Sequence, residues 1–256
     1  MSTGTVTFKD GATIIALNVT LVGNRATFTT NALTVGSHAI TAVYNGDAKF
    51  NGSTSSALNQ MVAKANSQIR IASSDKSSNY GQSVTLTATV SGGSGTPTGT
   101  VTFKDGATII ALNVTLVGNK ATFTTNTLTV GSHAITAVYN SDANFSASTS
   151  STLSQVVAKA GTSTRLTSSL NPSRSGNSVT FTVTVSTSVL GLGAPTGTVT
   201  FRDEGRTLGT VALNGSGKAI YTIASLSRGT HWISAVYSGN GNFSDSLGVL
   251  LQQVNR

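Results

Sequence analysis

The sequence predicts an all-β chain of small two-sheet sandwiches in tandem, and three observations carry that prediction. A block from Gly99 to Ala160 recurs almost letter for letter from Gly4 to Ala65, and more loosely from Gly197 to Asn255. A repeat of this size has the dimensions of a domain, so any function must be read per copy. Apolar and polar residues alternate with a period of two, broken by Gly, Asn, Asp and Ser turns every eight to twelve residues or so. Thr, Ser, Gly and Val crowd the chain, while charged residues make up 9% and aromatics 6%, a balance suited to pleated surfaces rather than helices.

The middle copy is complete, and its elements follow in order. A first strand is expected near 68–72 and a second over 83–90, the latter turning Val84, Leu86, Ala88 and Val90 inward. A third, over 99–104, buries Val101 and Phe103. After the Lys104-Asp105-Gly106 turn, a fourth strand alternates Ile110, Leu112, Val114 and Leu116 with small or polar residues. Gly118-Asn119 then reverses the chain, since both residues tolerate positive φ. A fifth strand over 120–125 buries Ala121 and Phe123, a sixth over 133–139 buries Ile135 and Ala137, and a seventh lies near 152–157. In the last copy the alternation slips by one residue over 208–213. A slip turns every side chain over unless a bulge absorbs it, and Gly209 is the expected site.

Three domains are expected: 1–65, 66–160 and 161–256, each complete one of about 95 residues. The first copy begins at the third strand, Met1 falling where the middle copy has Thr96. Its second strand would have supplied four inward apolar side chains, each worth about 1.5–3 kcal/mol when buried. That loss is comparable with the whole stability of a domain, about 5–15 kcal/mol. The first copy is therefore expected to be an incomplete sandwich, ordered poorly unless its neighbour or another chain covers the exposed edge. The missing start is read first as the boundary of a truncated gene or a fragment, and alternatively as an edge that accepts a strand donated by a partner. Between the second and third copies only residues 158–161 remain as linker, which predicts a semi-rigid rod.

Composition narrows the chemistry. Without cysteine there is no disulfide and no thiolate metal site. The opening MSTGTVTFKDG has no basic start before an apolar core, and no run of about 18 apolar residues occurs, so neither a signal peptide nor a membrane span is read in the chain as given. The net charge of +8 comes from 16 basic and 8 acidic residues. The basic side chains sit at separated, equivalent places, such as Lys9, Lys104 and Arg202, or Arg25, Lys120 and Lys218. Specific nucleic-acid binding, which needs a dense patch, is not expected. Loose attraction to anionic cell-envelope polymers is, and it should fade with salt.

Candidate sites are few. His38, His133 and His231 occupy one position in three copies, so they cannot converge on a metal or in a triad. Each has inward parity and is read as structural, bonding nearby backbone. Asp10, Asp105 and Asp203 stand in turns, where Asp commonly bonds local backbone. No cofactor is expected. Trp232, the only tryptophan, has outward parity and with Arg202 forms the candidate ligand contact, either as a sugar platform or as a stacked pair. The loop over 186–193 is three residues longer than its counterpart and carries Val189, Leu190 and Leu192, expected to pack across the domain junction.

The series PTGTVTFKDG from Pro97 to Gly106, the G-x-H-x-I-x-A-x-Y strand from Gly131 to Tyr139 and the Y-x-x-D-x-x-F-x-x-S run from Tyr139 to Ser148 together resemble the bacterial immunoglobulin-like repeat domains of group 3. The resemblance covers essentially the whole chain and departs at Asn240, where the other copies have Asp47 and Asp142. It implies tandem immunoglobulin-like sandwiches, the first lacking its A and B strands. It further implies a non-catalytic spacer or stalk in a secreted or cell-surface protein, whose partners are neighbouring domains of a longer chain. The alternative it implies is an adhesin or carbohydrate-binding module that contacts surface glycans.

Overall fold

The computed structural model describes residues 3–93 and 95–256. Every regular element among them is a β-strand, and none of them forms a helix long and apolar enough to cross a membrane.

In the first copy, β1 (Thr5–Asp10), β2 (Thr13–Thr20), β3 (Gly36–Tyr44), β4 (Ser53–Thr54) and β5 (Leu58–Val62) form a single sheet in which β1 lies between β2 and β3 and the latter pairs with both β4 and β5. The middle copy comprises β6 (Ser67–Ser73), β7 (Ser77–Asn79), β8 (Val84–Gly92), β9 (Thr100–Asp105), β10 (Thr108–Thr115), β11 (Lys120–Thr125), β12 (Gly131–Tyr139), β13 (Ser148–Thr149) and β14 (Leu153–Ala158). One sheet has the order β11-β8-β6, the other β10-β9-β12-β14-β7. The third copy repeats this plan with β15 (Thr162–Ser168), β16 (Ser173–Arg174), β17 (Val179–Thr187), β18 (Thr198–Asp203), β19 (Arg206–Ala212), β20 (Lys218–Ile223), β21 (Gly229–Tyr237) and β22 (Ser246–Asn255). Its sheets run β15-β17-β20 and β16-β22-β21-β18-β19.

The period-two pattern explains both cores. Val84, Leu86, Ala88 and Val90 from β8 meet Val101 and Phe103 from β9 and Ile135, Ala137 and Tyr139 from β12, all nearly inaccessible to solvent. Phe181, Val183, Phe201, Ile233 and Tyr237 do the same in the third copy. Two expected positions differ. Phe123 is only half-buried, its ring 6.0 Å from that of Phe103. Leu112 turns outward because β10 pairs with β9 through two register shifts, between Ile109 and Ala111 and between Ala111 and Val114. In the third copy the slip is absorbed where Phe201 faces Gly209 and Arg202 faces Thr207, so Leu208 is the extra residue. A Cβ on Gly209 would come within 2.6 Å of the Tyr221 ring. That ring stacks on Phe201 at 5.3 Å and its hydroxyl donates to the Leu208 carbonyl at 2.8 Å, so the missing side chain makes the stack fit.

The expected linker is not a free tether. Ala160 is fully buried in the third core; its N–H donates to the Asn242 carbonyl at 2.9 Å and its carbonyl accepts the Ser244 N–H at 3.0 Å. Ala65 makes the equivalent pair of bonds with Asn144 and Ser146.

The incomplete copy departs further from the sandwich than expected, since the strand expected over 26–30 is also absent. Its one sheet lacks a counterpart of β7, which pairs with β14 in the middle copy, while the Gly23-Asn24 turn closes normally, Val22 and Arg25 exchanging both backbone bonds at 2.8 and 3.1 Å. What is missing among the described residues is the second sheet. Residues 26–30, whose counterparts form β11 on β8, are in no strand.

Candidate functional site

The outer face around Trp232 is built by β21 and β22, which pair without interruption from Gly229 opposite Val254 to Tyr237 opposite Ser246. Alternation sends His231, Ile233, Ala235 and Tyr237 into the core and leaves Trp232, Ser234 and Val236 outside. Directly opposite these lie Leu251, Val249 and Leu247. Trp232 is 61% exposed, and the three facing aliphatics remain 45–59% exposed, so an apolar strip runs along the sheet. The middle copy offers nothing similar: Ala134 faces Ser154, and its last strand is broken between β13 and β14. Arg202, exposed on β18, faces Ser234 and is thus a diagonal neighbour of Trp232 rather than its direct partner. Leu247, Val249 and Leu251 escaped the sequence reading because Leu250, with inward parity, sits among them and blurs the alternation. Continuity of the strand is what reveals it.

The long loop divides its three apolar side chains. Val189 packs half-buried against the third core. Leu192 reaches the middle copy: it lies so close over Gly81 that a Cβ there would sit 2.3 Å from its Cδ2. Beside it, the Tyr80 ring meets Phe243 edge-on with centroids 6.3 Å apart. Leu190, by contrast, is 96% exposed. The turn that seats Leu192 tips it into solvent, contrary to its expected place in the junction.

The three histidines bond nearby backbone as expected, and each has a second partner that the sequence reading did not name. In each copy Nδ1 meets the turn aspartate: His38 and Asp10 at 2.6 Å, His133 and Asp105 at 2.6 Å, His231 and Asp203 at 2.8 Å. Nε2 meets a backbone carbonyl, of Thr34, Thr129 or Ser227, at 2.8 Å. The aspartates therefore reach across to the neighbouring strand instead of bonding only their own turn. With an acceptor on each ring nitrogen, both must donate, and the imidazolium is favoured. For His38 the Asp10 hydrogen bond is the main cause of a raised pKa. For His133 and His231 burial opposes the charge, but the carbonyl and carboxylate together outweigh it. Asp203 Oδ1 is buried without a partner, whereas Asp105 Oδ1 accepts the Ala134 N–H at 3.1 Å.

A second aspartate anchors a loop. Burial raises the Asp142 pKa, but N–H groups of Thr98, Asn144 and Phe145 outweigh it and hold the carboxyl well below the usual range. Asp47 is lowered likewise, first by Lys49 and Thr3. Asn240 keeps the anchor without charge: its Oδ1 accepts from Asn242 and Phe243, and its Nδ2 donates to the Thr196 carbonyl and hydroxyl. Among the described residues no three His, Asp or Glu side chains gather where they could hold a metal ion.

The first copy carries an open cleft. A cleft of about 600 Å³ lies over the bare face of its sheet, lined by Phe8, Phe28, Ile40, Leu58, Gln60 and Val62 among others. Leu58 is 65% exposed, while its counterpart Leu153 is 7% exposed.

Comparison with known proteins adds the following. The family model described as "Bacterial Ig-like domain (group 3)" matches residues 1–63, 71–158 and 166–255. No curated protein matches the chain. Among solved structures, the fibronectin(III)-like modules of Clostridium thermocellum CbhA align at 20% identity over 73% of this chain and 95% of theirs, TM-score 0.30. The Escherichia coli adhesin FdeC aligns at 16% identity over 86% and 74%, TM-score 0.32. The Yersinia pseudotuberculosis adhesin InvE aligns at 15% identity over 74% and 59%, TM-score 0.35. Likeness at this level bears on neither partner nor activity.

Proposed function

This chain belongs to the bacterial Ig-like domain (group 3) family, and from that premise we propose that it is a structural spacer in a secreted or cell-surface bacterial protein. The observation that carries the reading is the junction of the second and third copies. Ala160 is locked into the third core, Leu192 is seated on Gly81, and Tyr80 touches Phe243. Contacts of this kind oppose bending between sandwiches in series, and a spacer acts by holding distance. Small-angle scattering of the full chain tests it. Leu192→Asp combined with Tyr80→Ala is expected to broaden the distance distribution and shorten the mean length. An unchanged profile would remove the support.

The strip of Trp232, Leu247, Val249 and Leu251 favours a second reading, an adhesive module that contacts surface glycans, with Arg202 supplying attraction to anionic envelope polymers. Trp232→Ala should then abolish retention on glycan or cell-wall preparations. Retention unaffected by that change leaves the spacer reading alone.

A further inference from the structure

The outer face of the third copy carries relief as well as apolar chemistry. Leu251, Val249 and Leu247 stand in file along β22, and directly opposite them on β21 stand Trp232, Ser234 and Val236. The serine leaves a dip in the β21 row between a large ring and a branched side chain, and Val249 rises beside it. From Leu247 to Leu251 the apolar file runs about 14 Å along the strand. Taking a file of that length out of water requires an apolar surface of matching length, which a single stacked sugar ring does not offer.

Neighbouring domains in series leave this face bare. The third copy follows the middle one directly, yet Ala134 and Ser154, the counterparts of Trp232 and Leu251, remain exposed. The junction uses the ends of the sandwiches instead, around Gly81, Leu192 and Phe243. Charge also permits like to approach like. The chain has a net charge of +8, but the strip itself is uncharged, and the exposed residues flanking it, Arg202 and Asp245, are opposite in sign.

We propose that this face stacks on the same face of a second copy of the chain, the two sheets about 10 Å apart with their strands nearly aligned. A two-fold axis running along the strands between β21 and β22 lays β21 of one protomer over β22 of its partner. Trp232 then covers the partner's Leu251, and Val249 enters the dip at the partner's Ser234. Arg202 stays at the rim, one on each side, where the like charges are far apart. Because the contact is isologous it closes on itself and gives dimers rather than fibres. Its few side chains fall short of the roughly 20–30 residues a side of a standard interface, so the dissociation constant is expected on the order of 10–100 µM. The inference does not rest on the spacer reading, although aligned strands would let two such spacers stand side by side.

Trp232 is the only tryptophan, so its emission reports on this face and on no other. With the full chain over about 1–1,000 µM, sedimentation is expected to pass from monomer to dimer while the emission moves to shorter wavelength over the same range, with little effect of salt. Val249→Lys, a change at an exposed site that should leave the thermal melt in place, is expected to raise the dissociation constant about tenfold or more by facing two like charges across the axis. Ser234→Leu enlarges the apolar patch but fills the dip, and it should weaken the dimer as well. Emission that stays constant with concentration would overturn the proposal, whether the chain remains monomeric or associates through another surface. So would a shift that Val249→Lys leaves unchanged, or one that Ser234→Leu strengthens, since a merely sticky patch would behave that way. Emission that responds to soluble cell-wall fragments while the chain is monomeric, and not to chain concentration, would give the strip to a glycan and overturn it equally.

Discussion

Residues 26–30 and 121–125 both read Ala-Thr-Phe-Thr-Thr, yet only the second set is a strand. The turns before them are alike: Asn24 and Asn119 share a φ of 64°, and Val22 and Arg25 bond as Val117 and Lys120 do. The aromatic stack survives as well, Phe8 to Phe28 at 5.8 Å against Phe103 to Phe123 at 6.0 Å. A turn is closed by its own residues, whereas a strand exists through a ladder made with another strand. The comparison isolates that second requirement, because sequence, turn and stack are held nearly constant while β8 is present in one copy and absent from the other.

Amide exchange should give the largest contrast. Residues 121–125 are expected to exchange about a thousandfold or more slowly than residues 26–30, since opening a core strand approaches global unfolding. Equal rates would break the comparison outright. Matched truncations come next. Leu153→Ala should destabilise the middle sandwich by about 2–5 kcal/mol in denaturant unfolding, and Leu58→Ala should change stability by less than about 0.5 kcal/mol, as for an exposed site.

The third copy extends the contrast to a packing detail. Gly209→Ala is expected to cost about 1–3 kcal/mol by pressing on Tyr221. Tyr221→Phe in the same chain, freed from the Leu208 carbonyl, should recover part of that in thermal melts, since the middle copy has Ala111 opposite Phe103 where the third has Gly209 opposite Phe201, and Phe123 in place of Tyr221.

The smallest effect concerns the His–Asp pairs. The histidine pKa values are raised, so the stabilisation is full below the unfolded value of about 6.5 and is lost as pH rises through the native one. Tm should fall between pH 6 and pH 9, and the slope should shrink in His133→Asn. For Asp142, whose pKa is lowered, the sign is opposite: stability is lost as pH falls below the unfolded value of about 3.9. Asp142→Asn should blunt that acid sensitivity, because Asn240 shows that an amide serves the same loop.

Much of this was legible in advance. Strand order, the inward sets of β8, β9 and β12, the outward Trp232 and the bulge beside Gly209 all follow from period-two alternation and turn residues, which are local signals. The missing first two strands were also readable, as a comparison of one copy with another, but the loss of the strand over 26–30 with them was not. The histidine partner was not, since Asp10 and His38 stand 28 residues apart and only the pairing of β1 with β3 brings them together. Nor was the fate of the long loop, where Leu192 and Leu190 have the same chemistry but opposite exposure.

The sequence by itself determined the fold class, the repeat and the positions of the turns, because each rests on side-chain alternation or on backbone freedom within a few residues. Only the tertiary structure decided which strands exist, which apolar residues stay in water and which polar groups meet. Those outcomes depend on whether a neighbouring strand or domain is there to satisfy the backbone and cover the face. Identical residues that find a partner sheet in the middle copy therefore leave an open cleft in the first.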